Sequence, residues 1–173
     1  PPGKVILFTC NQKDNLSSKQ NSSAMDINPA SNPTGAQYET IEKYMVPLSN
    51  MVTFKPDQSI QDVISTIINK KIAGAPVLDD QRHLVGIISE KDCLRIIVDQ
   101  AYYNMPAETR KVSDYMTVKV QTLSPKTNVV EAAIEFLNSP IRRFPIVENG
   151  MLIGQVSRRH ILRAAQNIKS TTR

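Results

Sequence analysis

The sequence predicts a mixed α/β (α+β) protein built from two copies of one strand–helix–strand–strand–helix unit. Three observations predict it. Sliding the chain against itself by about 70 residues matches it almost throughout its second two thirds. Two stretches carry apolar residues at identical helical spacings, each behind a cap-like residue, and each is followed by two short apolar runs separated by a turn.

In the repeat, Tyr44-Met45 falls on Tyr115-Met116 and Thr53-Phe-Lys-Pro56 on Thr122-Leu-Ser-Pro125. Pro76-Val-Leu78 falls on Pro145-Ile-Val147, and Leu84-Val-Gly86 on Leu152-Ile-Gly154. Ahead of it, Val5 to Phe8 reads as a short strand or extended arm, its apolar core too short for the roughly 7–15 residues of a signal-peptide core. Residues 11 to about 36 are rich in Asn, Ser, Gln and Pro, a composition that buries too little surface to offset its ordering entropy. Residues 1–37 are therefore expected to form a loosely ordered arm. Because the chain starts at Pro1, it is expected to be a piece of a longer one.

The first unit is placed at residues 38–103. A short helical segment over Tyr38–Met45 is expected to end before Pro47, since the residue preceding a proline is pushed out of the helical region. An extended run around Met51–Phe54 leads to Ser59-x-x-Asp62, a capping-box-like helix start. Ile60, Val63, Ile64, Ile67 and Ile68 then form one apolar face. Strands are expected over Ala75–Leu78 and Leu84–Ile88, joined by the looser turn Asp79–His83, with a second helix after Ser89. A linker over 104–111 contains Pro106.

The second unit, 112–169, repeats the pattern. Asn128-x-x-Glu131 caps a helix with Val129, Ala132, Ala133, Phe136 and Leu137 on its apolar face. Phe144–Val147 and Met151–Val156 are its strands, joined by Asn149-Gly150, both of which tolerate positive φ. The closing helix places Ile161, Ala164, Ala165 and Ile168 inward, and 170–173 form a tail.

Composition narrows the function. A 40% hydrophobic, 21% charged chain is ordinary for a soluble globular protein, and net charge +5 favours anionic ligands while pointing only weakly to nucleic acid. Cys10 and Cys93 make no disulfide framework and, with His83 and His160, show no zinc spacing, so a reducing cytoplasmic compartment is the expectation. No run is long and apolar enough for a membrane helix. No catalytic triad order, glycine-rich phosphate loop or paired-His metal motif emerges, so the chain is read as no enzyme, with no metal or required cofactor. Cys93 is placed on an inner helix face and His83 in an exposed turn.

Two stretches carry candidate chemistry. Gly86-Ile-Ile-Ser89-Glu-Lys-Asp92 returns as Gly154-Gln-Val-Ser157-Arg-Arg-His160. Each apolar run ends on a Ser at a helix start, where N–H groups face outward and can hold an anion. Ser89-x-x-Asp92 also reads as a plain capping box, stabilised by the helix dipole by about 0.3–1 kcal/mol with no ligand, and the two readings are compatible. Arg158, Arg159 and His160 put positive charge in a first turn, against the dipole. With Arg142 and Arg143 they suit a di- or triphosphate, or else point into solvent.

The element order, the Pro before the second strand and the Gly-apolar-apolar-Ser-x-x-Asp ending resemble the CBS domain, the module named after cystathionine β-synthase, over about residues 41–169. The resemblance implies a tandem pair with pseudo-two-fold symmetry, two clefts for adenine nucleotides (AMP, ADP, ATP) or a related adenosyl ligand, and a regulatory, ligand-sensing role. It also implies a homodimer, and a partner protein or attached domain that reads the bound state. Carried over, it implies that Asp92 holds ribose hydroxyls and Ser89 meets ribose or phosphate, together with Arg143-Phe144-Pro145 and Thr122. The crossed site would pair Ser157, Arg158 and His160 with Thr53 and Gly74-Ala75-Pro76, with His160 standing where the family has a carboxylate. Two other readings stand beside it: a ligand-free dimerisation or protein-interaction module, and a nucleic-acid accessory role for the basic surface.

Overall fold

The structure, a computed structural model, describes residues 38–103 and 109–168. The expected arm, most of the linker and the tail lie outside the described residues.

Helix α1 (Ile60–Lys70) leads into the hairpin β2 (Gly74–Leu78) and β3 (Leu84–Ser89), and α2 (Glu90–Tyr103) closes the first half. Helix α3 (Val129–Asn138), strands β4 (Arg143–Glu148) and β5 (Met151–Ser157), and α4 (Arg158–Ile168) repeat the order. The leading strand of each unit is reduced to one bridged residue. Phe54 pairs in parallel with Val77, and Leu123 with Ile146. Pro56 and Pro125, two residues on, have no N–H to donate, which keeps these ladders short. The tight hairpin forms at Asn149 (φ 51°) and Gly150 (φ 80°).

The halves are held together by exchanging the segments that precede them. A 3-10 turn at Ile41–Tyr44 and the strand β1 (Val46–Pro47) come before the first unit, yet they serve the second. β1 pairs antiparallel with β5, Val46 opposite Gln155 and Pro47 opposite Gly154. Ile41 is fully buried among Phe136, Phe144, Ile146 and Val156. Reciprocally, Val112 and Tyr115 enter the first core with Phe54, Ile60, Val63, Val77 and Ile88. Thr117 exchanges two backbone hydrogen bonds with Ile87 of β3, at 2.8 and 2.9 Å.

The same exchange covers the first free donor of each leading helix. Ile60 N–H donates to Arg110 O at 3.1 Å, and Val129 N–H to Glu39 O at 3.0 Å. Around Asn128 the expected capping box is complete: its Oδ1 accepts from Val130 and Glu131 N–H, and its own backbone N–H donates to Glu131 Oε2. Ser59 occupies the cap position of α1 without a side-chain bond, which corrects the capping box expected there. Its hydroxyl is one atom shorter than the Asn128 carboxamide, and Arg110 already covers the adjacent amide.

Both apolar stripes need one correction at the same place. Ile60, Val63 and Ile67 are buried, as are Val129, Ala132 and Phe136, but Ile68 is 67% exposed and Leu137 77%. Eight residues along a helix turn the side chain about 80° from the first, beyond the buried sector. Ala165, expected inward on α4, also faces solvent, while Ile161 and Ala164 are buried; the Ile168 side chain lies outside the described residues.

Gly86 and Gly154, equivalent in the repeat, are where the exchanged segments pass closest. A Cβ at Gly154 would stand 2.5 Å from Val46 O and 2.9 Å from Met45 Sδ; at Gly86 the nearest atom would be the Met116 sulfur at 2.7 Å. A methionine tip can swing away, whereas a paired backbone carbonyl cannot. Gly154→Ala is therefore expected to cost about 1–3 kcal/mol and Gly86→Ala less, as read by urea-unfolding midpoints; equal losses would contradict the close approach of β1.

Candidate ligand clefts

The hairpins deliver a Ser to the start of each closing helix. At the first, Ser89 N–H donates to Asp92 Oδ2 at 2.9 Å, Ser89 Oγ–H to the same oxygen at 2.5 Å, and Asp92 N–H to Ser89 Oγ at 3.3 Å. Asp92 is only 7% exposed. Two of the three bonds end on Oδ2 and the third on Ser89 Oγ, so Oδ1 takes no part in the cap. At the second start, Ser157 N–H donates to His160 Nδ1 at 3.2 Å. The imidazole thus does at α4 what the carboxylate does at α2, provided Nδ1 is unprotonated and the proton sits on Nε2.

His160 is held in that neutral form. Burial pushes its pKa below the ordinary imidazole value, and the positive charges of Arg163, Arg143 and Arg159 push it further down. The Cys93 thiol is raised by burial and by the negative charges of Asp92 and Glu90, so it packs against the first core as a thiol rather than a thiolate. His83 is exposed and pairs with Asp79.

Two concavities open beside these helix starts. The narrower, of about 360 Å³, is lined by Gly74, Ala75, Pro76, Ile87 and Ser89 of the first half and by Ile141, Arg142, Arg143, Pro145 and Gln155 of the second. The wider, of about 610 Å³, is lined by Val46, Arg142, Arg143, Gln155, Ser157, Arg158, Arg159 and His160. Neither lining contains a carboxylate.

The structure therefore brings Ser89 together with Gly74, Ala75 and Pro76, with which it shares the β2–β3 hairpin, and adds Arg143 and Pro145 from the other half. Asp92 sits behind Ser89 rather than in the wall. Ser157, Arg158 and His160 meet Arg143 instead of Gly74–Pro76. Thr53 lies apart, in a concavity with Lys55, Asp79, Asp80 and Arg82. Thr122 is exposed and lines neither cleft, and the Phe144 side chain turns into the core, its ring 4.8 Å from that of Phe136.

Gln155 escaped the sequence reading, although a signal existed: it is the polar residue inside an otherwise apolar β5, on the face that alternates with buried Leu152, Gly154 and Val156. Arg158 is less free than its neighbours, since its guanidinium donates to Ser139 O at 3.2 Å at the end of α3.

The exchanged halves and the paired helix starts define a tandem ligand-cleft module, and comparison with known proteins agrees. The chain matches the CBS domain over residues 41–99 and again over 112–167, and it belongs to that family. Among its relatives, the chloroplastic CBS domain-containing protein CBSX2 of Arabidopsis thaliana is 30% identical over 157 residues, covering 77% of this chain and 66% of CBSX2. An uncharacterized protein of Methanocaldococcus jannaschii is 29% identical over 108 residues, with only 37% of its length covered. The crystal structure of CBSX2 in complex with AMP aligns with a TM-score of 0.67 at 33% identity, covering 77% of this chain and 99% of that one. CbpB in complex with c-di-AMP aligns at 0.66, covering 77% and 88%; at 14% identity it shows the shared fold alone. Among the described residues no helix is long and apolar enough to cross a membrane.

The neutral His160 cap makes stability pH-dependent with a defined sign. Its folded pKa lies below the unfolded value near 6.5, so its contribution is present above about pH 6.5 and lost as pH falls through the folded pKa. His160→Asn keeps an acceptor for the Ser157 amide but cannot titrate. Thermal melts from pH 7.5 to 5 are expected to fall more steeply for the natural chain than for this variant; parallel curves would contradict the assignment.

Proposed function

We propose that this chain is a non-catalytic regulatory module that binds an adenine nucleotide, or a related adenosyl ligand, in the cleft between its two halves. The observation that carries this reading is the 360 Å³ cleft, in which residues from equivalent positions of both repeats converge: Gly74-Ala75-Pro76 and Ser89 from one, Arg143 and Pro145 from the other. Its mostly apolar walls suit an adenine ring. The Ser89 oxygen in that wall is an acceptor for a ribose hydroxyl, and Asp92 behind it fixes the Ser89 side chain through the Oγ–H···Oδ2 bond. The AMP complex of CBSX2, at 33% identity over 77% of this chain, supports the choice of ligand.

A nucleotide gripped by both halves favours the relative orientation in which both grips close. A partner protein or attached domain reads that orientation, which requires unequal affinity for the alternatives. No cofactor is required. The module works in a cytoplasmic or comparable reducing compartment as a homodimer, and its contact surface is the apolar rim of Ile68, Leu94, Ile97 and Val98, each more than half exposed. That rim also favours a second reading, in which the fold only docks a partner and its clefts stay empty.

A thermal-shift screen separates the two. A ligand that binds only the folded state stabilises it by about 2.7 kcal/mol at one hundred times its Kd. Adenine nucleotides or S-adenosylmethionine are expected to raise the midpoint, and no shift at millimolar concentration, with a dimer by light scattering, would favour the docking module. Asp92→Asn, which keeps an acceptor for the cap, is expected to weaken AMP binding about tenfold, a loss of about 1.4 kcal/mol; unchanged affinity would remove Asp92 from the site.

A further inference from the structure

The arginine-lined concavity at the start of α4 has features that an AMP-sized ligand leaves unexplained. Arg142 and Arg143 at the entry to β4, and Arg158 and Arg159 on α4, surround a space of about 610 Å³ whose lining has no carboxylate. The guanidinium groups of Arg142, Arg143 and Arg159 make no ion pair or hydrogen bond among the described residues. Like charges gathered around a cavity repel one another and make it a trap for a multivalent anion.

The two helix starts differ in the same direction. At α2 the Ser89 amide is covered by the carboxylate of Asp92, whose charge repels a phosphate. At α4 the corresponding amide, of Ser157, is covered by a neutral imidazole nitrogen. The two concavities also share a wall, since Arg142, Arg143 and Gln155 line both. One ligand can therefore place its base and ribose in the narrower cleft and extend past Arg143 into the wider one.

We propose that this concavity seats the polyphosphate chain of a nucleoside di- or triphosphate, and that His160 takes up one proton as the chain arrives. The inference rests on the nucleotide reading above for the ligand's other end. The chemistry is an acid–base step only: a proton from solvent adds to Nδ1, and the Ser157 N–H···Nδ1 hydrogen bond breaks. The imidazolium N–H and the released Ser157 N–H both become donors to the phosphate oxygens. The groups facing His160 are Arg143 from β4 and Arg159 and Arg163 on its own helix. These charges keep the empty site's imidazole neutral, and a bound polyanion reverses their effect. The site thus responds to phosphate number and to pH together: it discriminates tri- from monophosphate and binds more tightly as pH falls.

The test is titration calorimetry on the whole chain with adenosine, AMP, ATP and inorganic triphosphate, metal-free at pH 7, in buffers of low and high ionisation enthalpy. ATP is expected to bind at least about tenfold more tightly than AMP, as one added charge-assisted hydrogen bond would supply. Its heat should report more proton uptake in the natural chain than in His160→Asn. Arg159→Ala should lose about tenfold in ATP affinity while leaving adenosine unchanged. Circular dichroism confirms that each variant is folded. Equal affinities for AMP and ATP, or equal proton uptake in both proteins, would overturn the polyphosphate seat and leave the nucleotide cleft standing. Triphosphate binding with proton uptake, but no response to adenosine or AMP, would keep the seat and overturn the nucleotide reading; no binding of any ligand would overturn both.

Discussion

The exchange of leading segments is the constraint on which the rest of this molecule depends. Each half lacks part of its own core: the first obtains Val112 and Tyr115 from the segment before the second, and the second obtains Ile41 from the segment before the first. Backbone hydrogen bonds from those segments cover the first amides of α1 and α3 and extend β3 and β5. Neither half can bury its apolar surface or satisfy its helix starts alone, so the two fold as one unit. Their equivalent helix starts thereby open onto adjoining concavities.

That arrangement lets a repeated backbone carry unequal chemistry. At Ser89 and at Ser157 an amide at the end of a strand donates to the side chain three residues on, and the geometry is nearly the same. Only the acceptor differs. A carboxylate puts a negative charge behind the first helix start. An imidazole, kept neutral by burial and by surrounding arginines, leaves the positive charge of those arginines uncompensated beside the second. Because Arg142, Arg143 and Gln155 stand between the two concavities, the sites are neighbours on one path rather than separate mirror images.

Much of the fold was legible from residue spacing. The four main helices and both hairpins stand where periodicity, caps and turn residues place them, because these signals are local and each is read within one or two turns of chain. The errors share a cause. Ile68 and Leu137 sit on the outer edge of stripes that sequence reads as uniformly inward, since helical spacing says which residues share a side but not how wide the covered sector is. Ser59 reads as a capping residue, yet its side chain makes no cap bond, and the start of α1 is instead tied down at Ile60 N–H by Arg110 O, about fifty positions away.

For the site, the repeat itself singled out Ser89, Asp92, Ser157 and His160, and the change from Asp to His was visible by aligning the chain with itself. Pairing across the halves was not. Gly74-Ala75-Pro76 face Ser89 because β2 and β3 are hydrogen-bonded neighbours, whereas the crossing implied by the family resemblance would have sent them to Ser157 and His160. Thr53 is carried away from that site to a different concavity. Local sequence thus decided the elements and the residue types at each helix start, through propensity, capping and periodicity, all short-range effects. Tertiary structure alone decided which half completes which core, that Gln155 and the arginines form a shared wall, and that His160 is neutral. Those outcomes depend on distances between residues remote in the chain and on the burial and charge that such residues impose on one another.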